Sequence, residues 1–131
     1  ARAIGGVVRG HSFEEWGRFA GQGSAQARQD LGFMYGTGAG APVNDSEAVK
    51  WYRKAAEQGY AKAQANLGAM YYFGEGVATN RVKAYMWWSF AMEQGEESAT
   101  KNLNIVKEEL SSAEISIAQE LALKMWEKIN N

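Results

Sequence analysis

Shifting the chain by 36 residues lays the stretch 24–59 on the stretch 60–95 with 15 identities and no gap. The matches are Ala25/Ala61, Ala27/Ala63, Leu31/Leu67, Gly32/Gly68, Met34/Met70, Tyr35/Tyr71, Gly38/Gly74, Gly40/Gly76, Asn44/Asn80, Ala48/Ala84, Trp51/Trp87, Ala55/Ala91, Glu57/Glu93, Gln58/Gln94 and Gly59/Gly95. A fixed period of this size marks a stacked repeat, in which each unit buries its apolar face only against its neighbours. That restricts the chain to a solenoid before any single helix has been assigned.

Each unit reads as two helices. Ala27, Leu31 and Tyr35 fall at i, i+4 and i+8, which predicts a helix over 25–36 and again over 61–73. Gly32 and Gly68 stand in mid-helix, where glycine costs about 1 kcal/mol against alanine. Their repetition predicts a close approach by a neighbouring helix. Gly38-x-Gly40 and Gly74-x-Gly76 then end the helix with positive φ. Asn44 and Asn80 read as N-caps of the second helix. That helix carries Ala48, Trp51, Tyr52 and Ala55 in one copy and Ala84, Trp87, Trp88 and Ala91 in the other. Small and large residues alternate on one stripe, as interlocking antiparallel helices require. Gly59 and Gly95 follow as C′ residues.

The flanks are partial copies. Residues 1–11 show no periodicity and read as a leader or linker, with disorder expected at the very start. Residues 12–23 form a half repeat: Ser12 and Glu15 make a capping box, and Trp16, Phe19, Ala20 and Gly23 fall on Tyr52, Ala55, Ala56 and Gly59. The chain is therefore expected to be cut from a longer solenoid or to begin with a degenerate cap. Residues 96–110 start a third copy, with Ala99, Asn102 and Leu103 on Ala63, Asn66 and Leu67. Residues 111–131 read as a capping helix. Ser111 and Glu114 open it, and Ile115, Ala118, Leu121, Ala122, Met125, Trp126 and Ile129 form its apolar stripe.

Composition removes several classes of function. A length of 131 residues suits one domain, and 46% hydrophobic residues allow a sizeable core. Fourteen basic against fifteen acidic residues give no electrostatic reason to expect nucleic acid or an anionic membrane as partner. No apolar run approaches the roughly 18–20 residues a span needs, so direct membrane insertion is not expected. Cysteine is absent, so disulfides and thiolate metal sites are excluded. His11, the one histidine, stands in the unpatterned leader and reads as solvated. It cannot build a catalytic triad or a two-histidine metal site. No metal or cofactor is expected. Ser98-Ala99-Thr100-Lys101 matches a Ser-x-x-Lys motif, but its Ser-Asp-Asn and Lys-Thr-Gly partners are missing. A serine hydrolase using Ser98 and Lys101 is the remote alternative. Trp87 and Trp88 answer to Trp51 and Tyr52 and so read as core, whereas Tyr85 and Phe90 are expected partly exposed on the convex side.

The pattern A-x-x-x-L-G-x-M-Y-x-x-G-x-G, then N, then A-x-x-W-[YW]-x-x-A, then Q-G, resembles the Sel-one-like repeat, a relative of the tetratricopeptide repeat. The resemblance covers residues 12–110. Ala41 stands where the second copy has Val77, and Asn44 and Asn80 stand where that family usually has aspartate. Phe90 and Met92 replace Lys54 and Ala56. Lack of cysteine sets the chain apart from the disulfide-stapled secreted branch. The resemblance implies an all-α fold: a right-handed α/α superhelix of two full and two partial helix-turn-helix repeats with a C-terminal capping helix. It also implies a non-enzymatic adaptor that holds a protein or peptide in a concave groove lined by the first helix of each repeat. Bacterial members are implicated in envelope assembly, secretion, signalling and host contact. The compartment stays open between cytoplasm and bacterial periplasm.

Positions shared between copies hold the stack, and unshared positions on the groove-facing helix are free to specify a ligand. With Leu31 and Leu67 in the core, the groove side carries Gln26, Gln29 and Phe33, then Lys62, Ala65, Ala69, Tyr72 and Phe73, then Ser98 and Lys101. The binding candidates are Gln29, Phe33, Lys62, Ala69, Tyr72, Phe73 and Lys101. Phe33, Tyr72 and Phe73 are the aromatic anchors among them. Tyr72 and Phe73 have a second reading as inter-repeat core. A glycan or cell-wall fragment stacked on the aromatic surface is the alternative ligand. The N-terminal half repeat offers end-to-end contact with another chain.

Overall fold

The computed structural model describes residues 7–131. Its elements run β1 (Val7–Val8), β2 (His11–Ser12), α1 (Phe13–Gly21), α2 (Ala25–Thr37), α3 (Asp45–Glu57), α4 (Ala61–Phe73), α5 (Arg81–Glu93), α6 (Glu97–Glu109) and α7 (Ser112–Ile129). Helices α1 to α6 each pack on the next in the chain, so the architecture is an all-α solenoid. Helix α7 turns back onto α5 and touches α3.

The local chemistry of each unit is the same in both copies. Gly38 and Gly74 adopt φ of 82° and 72° and donate their N–H to the Met34 and Met70 carbonyls at 2.8 Å. The Asn44 and Asn80 side chains accept from the Glu47 and Lys83 amides, capping α3 and α5. Their own amides donate to the Tyr35 and Tyr71 carbonyls at 2.8 Å, which ties each second helix to the end of the first.

The mid-helix glycines meet aromatic rings. A Cβ at Gly32 would lie 2.8 Å from the Tyr52 ring, and one at Gly68 would lie 2.6 Å from the Trp88 indole. Helices within a repeat can approach this closely only without a side chain there. Trp88 then reaches the backbone of α4, its Nε1 donating to the Ala65 carbonyl at 3.0 Å.

Polar side chains stitch one repeat to the next. Arg28 and Gln64 occupy the same place in successive copies, and both donate to the preceding second helix: Arg28 Nε to the Ala20 carbonyl and Gln64 Nε2 to the Ala56 carbonyl. Arginine offers no acceptor, so Gln58 presents Oε1 to Arg28 Nη1 and turns Nε2 to the Gly23 carbonyl. Gln64 does offer an acceptor, and Gln94 Nε2 donates to its Oε1 at 2.8 Å. The shared Gln58 and Gln94 thus serve two differently composed interfaces by rotating one amide.

Four local expectations differ from what is observed. Residues 7–12 form a two-residue antiparallel ladder, with Val7 opposite Ser12 and Val8 opposite His11. The segment is held to α1 by Trp16 Nε1 donating to the Val8 carbonyl at 2.7 Å. His11 is half-buried, edge-on to Trp16 and Phe19, with Nδ1 3.5 Å from Glu15 Oε1, rather than free in solvent. Residues 1–6, where disorder was expected, lie outside the described residues.

Tyr85, expected on an exposed convex face, is buried in the main core with Met86. The reason is α7, which covers the outer side of α5 and turns it into a helix buried on nearly all sides. Finally, Trp126 leaves the apolar stripe of α7 and is largely exposed, whereas Ile115, Leu121, Ala122, Met125 and Ile129 pack against the core around buried Ala118. The stripe is wider than the line along which one helix can meet another.

Candidate functional site

The first helices α2, α4 and α6 stand side by side and line a groove of about 360 Å³ together with the hairpin. Gln29, Asp30 and Phe33 come from α2, Lys62, Ala65 and Asn66 from α4, Glu96 and Ser98 from the start of α6, and Val8 and Arg9 from the hairpin. Gln29, Phe33, Lys62, Ala65 and Ser98 are therefore brought together. Phe33 is 41% exposed on the rim, and Lys62 is exposed. Gln29 is buried in the floor, its Oε1 accepting from Asn66 Nδ2 at 3.2 Å, so the amide is already engaged between repeats.

The remaining candidates lie elsewhere. Lys101 is exposed on α6 but does not line the groove. Ala69 is half-buried against the core. Tyr72 is occupied by the chain itself. Its hydroxyl donates to the Glu109 carboxylate at 2.8 Å, the Arg81 guanidinium stands 5.1 Å from its ring centroid, and the Trp88 ring is 5.5 Å away. Arg81 Nε closes the triangle on Glu109 at 3.2 Å. Phe73, edge-on to Tyr72, is 66% exposed at the far end of α4. Ser98 and Lys101 are both exposed, without the desolvated surroundings that activate a serine–lysine pair. Among the described residues no helix is long and apolar enough to cross a membrane. Nor is any group of three or more His, Asp or Glu placed to hold a metal ion.

Five groove residues escaped sequence reasoning: Val8, Arg9, Asp30, Asn66 and Glu96. Asp30 carried a signal. It falls at the repeat position held by Asn66 and Asn102, so one copy has a carboxylate where the others have an amide. Asp30 is 4% exposed, and Oδ2 stands 3.2 Å from Arg9 Nε without hydrogen-bond geometry. Burial pushes its carboxyl above the usual aspartate range, against the opposing pull of the Arg9 and Lys62 charges. Burial, and then the Asp30 charge, likewise push the Tyr52 phenol upward.

A raised carboxyl pKa has a definite sign in stability. Asp30 contributes fully below its unfolded value of about 3.9 and loses that contribution as pH rises through the folded value. Asp30→Asn is therefore expected to melt higher than the parent at pH 7, with the difference closing as pH falls below about 4. Thermal unfolding by circular dichroism across pH reads this directly. A lower melting point for the variant at pH 7 would mean that the Arg9 pair outweighs desolvation.

The comparisons with known proteins agree with this geometry. The Sel1 repeat family model matches residues 25–60 and 61–96. Among solved structures, the chain is similar to a protective antigen present in uropathogenic Escherichia coli strains that displays an SLR fold, with TM-score 0.85 and 33% identity over 89% of this chain and 25% of the other. It is also similar to a Sel1 repeat protein from Oxalobacter formigenes, with TM-score 0.68 and 39% identity over 71% of this chain and 38% of that one. The chain thus spans well under half the length of either. Among curated proteins none matches.

Proposed function

The chain belongs to the Sel1 repeat family, and from that premise we propose that it holds a protein or peptide segment in the groove of α2, α4 and α6. Solenoids of this family typically serve as protein-interaction scaffolds and are generally non-catalytic. What supports the groove as the docking place is how its residues are distributed. Positions identical between copies, such as Leu31/Leu67 and Met34/Met70, are buried in the stack. Among positions that differ, Gln26, Lys62 and Ser98 are exposed, and so is Phe33, whose counterpart Ala69 is half-buried.

The observation that carries most weight is Phe33. A phenylalanine left partly in water beside a polar-floored groove is a natural anchor, since interfaces concentrate energy in a few large side chains. Lys62 adds a charge on the same rim, and Phe73 extends the contact surface along α4. Tyr72 serves the stack through Glu109 and Arg81.

Peptides selected from a display library against the chain provide the test. Phe33→Ala should weaken a selected peptide by about ten-fold or more, corresponding to about 1.4 kcal/mol. Lys62→Ala should weaken it less, and helicity should be unchanged in both. Affinities unaltered in Phe33→Ala, Lys62→Ala and Phe73→Ala would remove the groove from consideration. Saccharide binding without peptide binding would favour a glycan site instead.

A further inference from the structure

We propose that Asp30 is the groove's recognition point for a cationic side chain of the bound peptide, best a guanidinium, and that Arg9 of the hairpin stands in for it in the free protein. The inference rests on the groove reading and names the chemistry of its occupant. Three observations carry it.

The first is that the stack does not need a carboxylate at this position. Asn66 holds the same slot one repeat later, satisfied by Gln29. Asp30 is instead nearly inaccessible, lines the groove, and leaves Oδ2 without a hydrogen bond. Buried carboxylate oxygens are ordinarily bonded, whereas this one is covered only by Arg9 at 3.2 Å, so it is a charge-paired oxygen that a better-aligned donor could take over.

The second is the way Arg9 is held. Its Nε lies 3.2 Å from Oδ2, yet the side chain remains 47% exposed and makes no bidentate pair. A guanidinium reaching a carboxylate freely would engage it through two parallel N–H groups. Arg9 is also the one non-glycine residue with positive φ among the described residues, at 52°, followed by Gly10 at 83°. Two left-handed residues suit a tight hairpin turn, where asparagine or glycine is the favoured first residue. An arginine there opposes the backbone preference, and its reach to Asp30 is what it supplies. A two-stranded ladder of this size is marginal by itself, so the hairpin tip can be displaced.

The third is charge. Asp30, Glu96, Lys62 and Arg9 all line the groove. With Arg9 withdrawn, two carboxylates stand against one ammonium, and the lining favours an incoming cation. Phe33 on the rim supplies an aromatic surface beside it.

The test uses the full 131-residue chain and two fluorescein-labelled synthetic peptides. One carries a central arginine among glycine, serine and valine. The other carries citrulline, its neutral isostere, in that place. Arg9→Gly, which suits the left-handed turn, should bind the arginine peptide about ten-fold tighter than the parent and about ten-fold tighter than it binds the citrulline peptide. Adding Asp30→Asn should abolish the difference between the peptides while circular dichroism stays unchanged. If that double variant loses its fold, the comparison in Arg9→Gly decides alone. Equal affinity of Arg9→Gly for both peptides, with both weakened by Phe33→Ala, would overturn the role of Asp30 and leave the groove standing. Binding of neither peptide would take down both. No gain of Arg9→Gly over the parent would overturn the stand-in role of Arg9.

Discussion

Trp88→Ala is expected to lower the free energy of unfolding by about 3–5 kcal/mol, the usual cost of truncating a buried tryptophan. Trp88 is 2% exposed, lies over Gly68, and donates its indole N–H to the Ala65 carbonyl. Truncation leaves a cavity under α4 that the flanking helices cannot close, because their spacing is also set by Met70, Trp87 and Ala91. A domain of this size has about 5–15 kcal/mol in total, so about a fifth or more of its stability goes. Urea unfolding should show a lower midpoint at an unchanged slope. A midpoint equal to the parent's would show that the indole is not part of the packed core.

Gly68→Ala follows from the same contact seen from the other side. The new methyl would stand 2.6 Å from the indole, inside the contact limit, and against a rigid buried ring rather than a flexible tip. Overpacking of this kind costs about 1–3 kcal/mol, and shifting the indole also weakens its hydrogen bond, worth about 1 kcal/mol. Alanine returns about 1 kcal/mol in helix propensity. The expected net loss is about 1–3 kcal/mol. Gly17→Ala is the internal control. Gly17 lies inside α1 with negative φ and nothing within 4 Å of an added Cβ, so there alanine should raise stability by about 0.5–1 kcal/mol. If Gly68→Ala and Gly17→Ala shift the urea midpoint in the same direction, the close approach at Trp88 is not limiting.

The contact at Gly68 is legible in the sequence, because a helix-breaking residue kept at one register in both copies needs a packing reason. The capping side chains of Ser12, Asn44, Asn80 and Ser111 were legible for the same local cause: each bonds an amide three residues on. In the groove, Phe33 and Lys62 could be placed because helical periodicity puts them opposite Leu31 and Leu67. Gln29 could be placed but not judged, since its burial depends on Asn66 reaching over from the next repeat. Tyr72 was ambiguous for the same reason: Glu109, its partner, lies 37 residues away on α6, where the third copy has lost the repeat pattern.

By itself the sequence determined the period, the helix ends, the close approach of paired helices and the side of each first helix that stays open. All of these are set within one turn of helix or repeated at one spacing, so the chain states them twice. Tertiary structure alone decided that α7 folds back over α5 and buries Tyr85, and that residues 7–12 pair and lie against Trp16. It also decided that Arg9 meets Asp30. Those are single encounters between non-repeating segments, fixed by which apolar surfaces were left to cover and which charges came within reach, and no periodicity encodes them.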